Sequence, residues 1–284
     1  MDFSHIRPIK PNKKLGQNFL RDDAVKMQIL QSISDIWAIP DVGAKNDLKI
    51  VEIGAGLGDL SDLLLRSYDV LSYEIDAKLC EFLHQKYAKE IECKKFELKN
   101  ADVLKLENGH FWLCERPYIL VSNLPYYVAT HIILKALKDP LCKGLIVMTQ
   151  KEVAQKFCDN FANALSVITS HFGSAKLLFD VPKTAFYPQP KVQSSVFSIK
   201  KTNFKPLDPI FERFLKAAFS HPRKMLLKNL KASFDCDFER IFKQLDLNNK
   251  IRPSEIEPKI YFDIFNFTKD EICQITSINS TKMK

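Results

Sequence analysis

The 284-residue chain contains few of the patterns that mark metal-binding, disulfide-stabilised or membrane proteins. Its seven cysteines are irregularly spaced and form no Cys-x-x-Cys pair, which favours free buried thiols over a disulfide framework or a zinc site. Its six histidines show no paired ligand spacing, so the sequence predicts no metal site. No apolar run approaches the ~18 residues of a membrane helix, and the first residues lack the apolar segment of a signal peptide. We therefore expect no membrane association and a cytoplasmic location.

Positive charge is concentrated at the two ends of the chain. The 42 Lys and Arg residues outnumber the 34 Asp and Glu residues, so the net charge is +8. Residues 1–21 carry a net charge of +4 and residues 201–284 carry +5, whereas the segment between them is near neutral. Basic ends are typical of a solubilising tail with solvated helix faces, or of a clamp on a polyanion; charge alone favours the former.

The middle of the chain alternates between short apolar or β-branched runs and helical patterns. Such alternation predicts an α/β fold in which helices cover a parallel sheet. The last two strands are separated only by a short segment containing proline, which predicts a hairpin at the sheet edge. Strands are predicted at Lys49–Ile53, Val70–Glu74, Lys95–Leu98, Tyr118–Ser122, Gly144–Thr149, Lys176–Val181 and Val192–Ile199. Helices are predicted at Asp22–Ile33, Asp59–Arg66, Asp76–Tyr87, Thr130–Leu137, Lys151–Phe157 and Ala162–Phe172.

The strand pattern stops after Ile199. The polar segment Lys200–Pro209 contains prolines and is typical of a linker. Beyond it, apolar residues recur at helical spacing, which predicts a smaller all-helical C-terminal domain. We therefore predict two domains, at residues 1–200 and 201–284.

The first strand of the predicted sheet ends in a glycine-rich turn, Gly54-Ala55-Gly56-Leu57-Gly58. Glycines at this place let the backbone turn tightly and approach a ligand, although a purely structural turn would also contain them. Glu74 ends the second strand, where a carboxylate can accept both ribose hydroxyls. Asp102 follows the third strand and could accept an adenine amine or cap a helix. These features predict an adenosine-containing cofactor without separating NAD from S-adenosylmethionine.

The fourth strand ends in the most specific motif, Asn123-Leu124-Pro125-Tyr126. The exocyclic amine of adenine is a poor nucleophile, and acceptors for its two N–H groups would restore electron density and aim its lone pair. The Asn123 side chain and the Leu124 carbonyl could be those acceptors, with Pro125 stiffening the loop and Tyr126 stacking on the base. A second aromatic, Phe186, could close the other face of the base, or its loop could be a plain connection.

Six segments together resemble the ribosomal RNA adenine N6-dimethyltransferase family. They occur in the family's order and cover about residues 13–200. The segments are Lys14–Leu20, Val51–Gly58, Glu74–Asp76, Asp102, Asn123–Tyr126 and Phe186–Val192.

The resemblance implies a Rossmann-like methyltransferase sheet that uses S-adenosyl-L-methionine. It implies that Asn18 and Leu20 close over the cofactor, and that Asn123 and Tyr126 hold the target base. The cofactor-binding residues that it implies are Asn18, Leu20, Gly54, Gly56, Glu74, Asp102 and Asn123. The catalytic residues that it implies are Asn123, Leu124, Pro125, Tyr126 and Phe186.

The segment 217–230 resembles the basic helix of the small-subunit enzymes of this family. That resemblance implies N6,N6-dimethylation of two adjacent adenosines in the 3′-terminal hairpin of 16S rRNA, by an enzyme we expect to be monomeric and free of metal. The alternatives are a large-subunit enzyme of the macrolide-resistance type and a non-catalytic ribosome-assembly factor. The residues expected to contact RNA are Lys13, Lys14, Arg223, Lys224 and Lys228.

Overall fold

Strands and helices alternate through most of the chain in the computed structural model. It describes residues 10–37, 48–107 and 109–281, with residues 270 and 273–281 described by their backbone alone. The strands are β1 (Phe19–Leu20), β2 (Lys49–Ile53), β3 (Val70–Glu74), β4 (Phe96–Asn100), β5 (Tyr118–Asn123), β6 (Cys142–Gln150), β7 (Gly173–Val181), β8 (Phe186–Tyr187) and β9 (Ser194–Lys201). The helices are α1 (Asp23–Trp37), α2 (Ser61–Ser67), α3 (Ala77–Lys86), α4 (Ala88–Glu92), α5 (Ala129–Lys138), α6 (Lys151–Cys158), α7 (Ala164–Phe172), α8 (Pro209–Ala218), α9 (Leu226–Lys231), α10 (Phe238–Gln244) and α11 (Ile260–Thr281).

Seven strands form one sheet in the order β4-β3-β2-β5-β6-β9-β7. The neighbours from β4 to β6 pair in parallel, and β9 pairs antiparallel with β6. This arrangement confirms the predicted α/β fold with a mainly parallel sheet. Because β2, β3, β4 and β5 run in the same direction, their carboxyl ends meet at one edge of the sheet, where ligands bind in folds of this kind.

The strands β2, β3 and β5 form from mostly apolar segments that are buried on both faces. All five residues of β2 and of β3 are buried, as are the first five of β5. Strands buried on both faces are typical of parallel sheets that helices cover on each side. The boundaries predicted for β2 and β3 therefore agree with the structure residue for residue.

The chain divides into two compact units whose boundaries differ from the predicted domains. Among the described residues, one unit contains those up to Gln155 and Ser174–Phe204, and the other contains Lys156–Gly173 and those from Lys205 onward. The helix α7, which we predicted as a sheet-covering helix of the first domain, thus clusters with the C-terminal helices. Its His171 ring stacks on Phe262 at 5.9 Å, and the Ala162 amide donates to the Ile256 carbonyl at 3.0 Å. Both contacts join residues of the second unit.

The second unit is held together by aromatic side chains. Asp208 caps α8, with Pro209 in its first turn. The Phe211 ring lies 4.5 Å from Phe262 and 5.0 Å from Phe265, between centroids. Stacked and edge-on pairs at these distances stabilise a core beyond the area they bury. Within the described part of the chain, no helix combines the length and apolarity needed to cross a membrane.

Candidate active site

A cavity of about 1150 Å³, counted out to its open mouth, lies at the carboxyl ends of the parallel strands. Its wall is formed by the turns that follow β2, β3, β4 and β5 and by the N-terminal segment around β1. The cavity brings together all the predicted cofactor residues and the predicted base-binding loop, but not Phe186. These lining residues are Asn18, Leu20, Gly54, Gly56, Glu74, Asp102, Asn123, Leu124, Pro125 and Tyr126.

Two glycines in the turn after β2 are required for different reasons. Gly56 lines the cavity with φ of +60°, and a Cβ there would lie 3.0 Å from the Phe19 ring that covers it. Gly58 has φ of +80°, and a Cβ there would overlap the hydroxyl of Tyr87. The Tyr87 hydroxyl lies 2.8 Å from the Gly58 carbonyl oxygen, within a buried core. Gly56 therefore keeps the cavity wall close to a ligand, whereas Gly58 is required for packing.

Glu74, at the end of β3, is fixed by backbone amides. Its Oε2 accepts from the Gly56 amide and its Oε1 from the Asp76 amide, each at 2.9 Å. The residue is 4% exposed, and burial raises the pKa of its carboxyl, which the two amides partly oppose. Each oxygen keeps a second lone pair, so the carboxylate can accept two vicinal hydroxyls of a ligand in the cavity.

Asp102 both caps a turn and lines the cavity. Its Oδ1 accepts from the Leu104 amide at 3.1 Å and caps the short 3-10 turn Val103–Lys105. Its Oδ2 lies 3.8 Å from the Nζ of Lys105, whose side chain is largely exposed. The sequence left two roles open for Asp102, a helix cap and a ligand contact. Its position is compatible with both.

The loop after β5 holds Asn123 in a defined orientation. The Asn123 Nδ2 donates to the Asn18 carbonyl at 3.1 Å, and the Asn18 Nδ2 donates to the Gly16 carbonyl at 3.0 Å. The Leu124 amide donates to the Met148 carbonyl on β6 at 3.0 Å. Neither the Asn123 Oδ1 nor the Leu124 carbonyl accepts a hydrogen bond from a residue that the structure describes. Two acceptors thus remain at the cavity wall.

Tyr126 is anchored by a residue that sequence reasoning missed. Its hydroxyl lies 2.6 Å from the Oγ of Ser194, the first residue of β9, which is fully buried. Burial raises the pKa of Tyr126, so the phenol stays neutral at physiological pH. The two residues are 68 positions apart, and a serine at the start of a strand gives no sequence signal of such a role.

The N-terminal segment covers the cavity. The strand β1 pairs antiparallel with β8, with Leu20 opposite Phe186 and Phe19 opposite Tyr187. Phe19 and Leu20 are 6% and 3% exposed, and both line the cavity. No strand was predicted from the sequence here, because a two-residue strand has no periodicity from which to predict it.

Phe186 lies in the core of the first unit. It is 3% exposed and packs in the same hydrophobic cluster as Leu20, Ala185 and Val196. The neighbouring Tyr187 is 61% exposed. In this structure the predicted stacking partner of the base is therefore covered, and its role stays a prediction.

The residues predicted to contact RNA are all exposed. Lys13 and Lys14 form a 3-10 turn just before the cavity cover, in the first unit. Arg223, Lys224 and Lys228 lie at the start of α9 and just before it, in the second unit. Arg7, one of the basic residues of segment 1–21, is outside the described residues.

The cavity has an acidic wall, although the protein is basic. Among the residues that the structure describes, no lysine, arginine or histidine lines it, whereas four carboxyl side chains do. Glu52 is 2% exposed, accepts from the Ser61 Oγ at 2.5 Å, and has its pKa raised to about 7 by burial. The four residues are Glu52, Asp59, Glu74 and Asp102.

Known proteins resemble the chain along almost its whole length. A family profile described as "Ribosomal RNA adenine dimethylase" matches residues 9–270. A Campylobacter hominis protein named "Ribosomal RNA small subunit methyltransferase A" is 47% identical over 268 residues, which cover 89% of this chain and 94% of that protein.

Two solved structures share the fold. A dimethyladenosine transferase from Plasmodium falciparum aligns with a TM-score of 0.70 at 19% identity, covering 89% of this chain and 98% of the other. The 23S rRNA methyltransferase ErmE aligns with a TM-score of 0.68 at 23% identity, covering 88% and 98%. The fold alone does not separate these two enzymes. With the profile match and the close relative, it follows that the chain belongs to the ribosomal RNA adenine dimethylase family.

Proposed function

We propose that this protein transfers methyl groups from S-adenosylmethionine to N6 of two adjacent adenosines in the 3′-terminal hairpin of 16S rRNA. The observation that carries the proposal is the Asn123–Tyr126 loop, which presents two free acceptors and a tyrosine ring beside an acidic cavity. The name of the 47% identical relative supports the small ribosomal subunit as the substrate.

The acidic wall supports S-adenosylmethionine over a dinucleotide. S-adenosylmethionine carries a sulfonium and an ammonium, and carboxylates stabilise positive charge in a cavity of low dielectric constant. NAD carries a pyrophosphate, which needs backbone amides or basic side chains as partners. Asp59 stands where the dinucleotide fingerprint has its third glycine, and it lines the cavity. The chain therefore fits the cationic cofactor, and an NAD oxidoreductase is disfavoured.

The chain's own residues provide the contacts that hold such a cofactor. The Glu74 carboxylate accepts the two ribose hydroxyls, and the free side of Asp102 accepts the adenine amine. Asn18 and Leu20 cover the cofactor from the N-terminal side. When bound, S-adenosylmethionine supplies a methyl group whose bond to sulfur breaks as the bond to N6 forms.

The loop after β5 activates and aims the target amine. The Asn123 Oδ1 and the Leu124 carbonyl accept the two N–H groups, which shifts electron density onto N6 and directs its lone pair at the methyl group. The Tyr126 ring stacks on the base at a gain of about 1–3 kcal/mol. No general base is needed, because alkylation makes the amine acidic and its proton then leaves to water.

The substrate is tested by incubating the protein with labelled S-adenosylmethionine and small ribosomal subunits that lack dimethyladenosine, beside unmodified large subunits. We expect label in the small subunit only. Label confined to the large subunit would move the protein to the macrolide-resistance type. Tight binding to the small subunit without label would identify a non-catalytic assembly factor.

A further inference from the structure

A second tyrosine, Tyr127, directly follows the loop that we propose to hold the target base. It lines the cavity and is 58% exposed, whereas the hydroxyl of its neighbour Tyr126 is tied to the buried Ser194. The Tyr127 hydroxyl makes no hydrogen bond to a residue that the structure describes. A ring that belongs to the cavity wall and is open to solvent stands at the cavity mouth, and the proposed function gives it no role.

The N-terminal segment supports the Tyr127 ring on one side. Gly16 has φ of +63°, and a Cβ there would lie 3.3 Å from the Tyr127 Cδ1. The segment is itself anchored, because the Gln17 Nε2 donates to the Asp76 Oδ2 at 3.1 Å. The Gly16 carbonyl also accepts from the Asn18 side chain at 3.0 Å. The ring therefore has a fixed support, and the rest of its surface is available to a ligand.

Positive charge adjoins this ring along the chain. Gly16 ends the 3-10 turn Lys13–Leu15, and its amide donates to the Lys13 carbonyl at 3.1 Å. Lys13 and Lys14 are exposed, and both are among the residues predicted to contact RNA. Proteins bind single-stranded nucleic acids by combining aromatic rings for the bases with basic side chains for the backbone. The chemistry of this surface therefore fits a nucleotide.

The position of Tyr127 along the sheet edge indicates which nucleotide it meets. The cofactor adenine is proposed to lie at Asp102, which follows β4, and β4 is three positions from β5 in the sheet. The target base is proposed to lie at the Asn123–Tyr126 loop, directly before Tyr127. We infer that Tyr127 stacks on the base next to the target in the RNA strand, so that the enzyme favours an adenosine with a purine neighbour. The inference deepens the proposed function and rests on its target-base assignment.

The alternative is a purely structural role, in which the ring only holds the N-terminal segment over the cofactor. In that role, loss of the ring weakens cofactor binding, whereas in the stacking role it weakens the binding of RNA alone. Leucine separates the two roles, because it keeps an apolar contact with Gly16 but has no aromatic face.

The test measures methyl transfer to small ribosomal subunits that lack dimethyladenosine, with titration calorimetry of S-adenosylhomocysteine in parallel. We expect Tyr127→Leu to raise the KM for subunits by about five- to a hundredfold, the value of stacking on one base. Its kcat should change less than about threefold, because the contact is to a nucleotide that does not react. Tyr127→Phe keeps the ring and should stay within about twofold of the wild type. Neither variant should change the affinity for S-adenosylhomocysteine by more than about twofold. The control Phe161→Leu removes an exposed ring outside the cavity and should alter neither the KM nor this affinity.

Altered substrates identify the base on which the ring stacks. When either of the two adjacent adenosines is replaced by uridine, the remaining target has a pyrimidine neighbour. Because the ring contacts one side of the target, one of the two replacements should lower kcat/KM of the wild type by about three- to tenfold. The same replacement should lower kcat/KM of Tyr127→Leu less than about twofold, since this variant has no ring to lose its partner.

An unchanged KM for subunits in Tyr127→Leu would overturn the inference, as would equal losses from uridine in both proteins. A loss of S-adenosylhomocysteine affinity that matches the rise in KM would show the structural role and also overturn it. These results would leave the proposed function intact, because the wild-type protein would still methylate small subunits. Absence of methyl transfer by the wild type would instead overturn the proposed function and this inference together.

Discussion

At the scale of single residues, the hydrogen bond between Tyr126 and Ser194 fixes the Tyr126 ring, which we propose to stack on the target base. The bond is short, at 2.6 Å, and Ser194 is fully buried, so the ring has a fixed partner in the sheet. In the proposed function the ring provides the stacking surface for the base, and the hydroxyl orients the ring. The two contributions can therefore be separated by mutation.

We expect Tyr126→Ala to lower methyl transfer by at least tenfold, because the stacking surface is lost. Tyr126→Phe and Ser194→Ala should each lower the rate of methyl transfer by a smaller factor, the same for both. The double variant should be no slower than either single variant. Turnover assays on small subunits measure all four proteins. Fully additive losses for Tyr126→Phe and Ser194→Ala would contradict the coupling.

Glu52 makes stability depend on pH, since burial raises the pKa of its carboxyl from 4.5 to about 7. Between these values the folded protein holds a proton that the unfolded chain has released, so this group's stabilising contribution is lost as pH rises through 7. Relative to Glu52→Gln, the wild type should lose up to about 3 kcal/mol of unfolding free energy between pH 4 and pH 8. Urea unfolding at both pH values measures this, and a pH-independent difference would contradict it.

The site residues at strand ends could be predicted from the sequence. The residues whose partners are distant along the chain could not. Glu74, Asp102 and Asn123 lie at or just after the ends of predicted strands, and all three lie at the cavity. Ser194 acts through a partner 68 positions away. The sequence marked Asp59 only as the residue that replaces a glycine, because its pairing with Arg21 depends on how the N-terminal segment folds over the turn.

At the scale of secondary-structure elements, the limits of buried strands were predicted better than those of exposed strands. The strands β2 and β3 are buried on both faces, and their predicted limits are confirmed. The edge strand β7 has mostly half-buried or exposed residues and begins three positions before the prediction. The element β1 was missed because its pairing with β8 joins residues more than 160 positions apart.

The turn between β2 and α2 provides the test at this scale. We expect Gly58→Ala to cost about 2–4 kcal/mol, because φ of +80° is strained for alanine and the new Cβ overlaps the Tyr87 hydroxyl. Gly109→Ala is the matched control, with φ of +69° and open space around its Cβ position, and should cost only about 1 kcal/mol. Thermal unfolding compares them; equal losses would show that packing against Tyr87 is not what requires glycine.

At the scale of the whole molecule, charge is divided between surface and cavity. The net charge is +8, yet the described part of the cavity wall has carboxylates and no basic side chain. Such a division allows RNA phosphates to bind outside while only a base enters the cavity. The composition predicted the basic ends, but the acidic cavity requires residues from the ends of three separate strands and could not be predicted from charge counts.

We expect RNA affinity to fall steeply with salt, because each phosphate contact releases a counterion. Charge reversal at Arg223 and Lys224 should lower the slope of log affinity against log salt by about 2, at about 0.9 for each contact. The control Lys78→Glu with Lys89→Glu removes the same charge from exposed positions that we do not assign to RNA contact. Filter binding at several salt concentrations measures the slopes. Equal effects of the two double variants would contradict a specific RNA contact at Arg223 and Lys224.

The central claim is that the Asn123 loop activates adenine N6 for methyl transfer. The most direct measurement is mass analysis of nucleosides from small subunits treated with wild-type protein or Asn123→Ala, with S-adenosylhomocysteine binding measured in parallel. We predict N6,N6-dimethyladenosine from the wild type, and at least a hundredfold lower turnover from the variant at S-adenosylmethionine concentrations that saturate it. Near-normal formation of dimethyladenosine by Asn123→Ala would contradict the account.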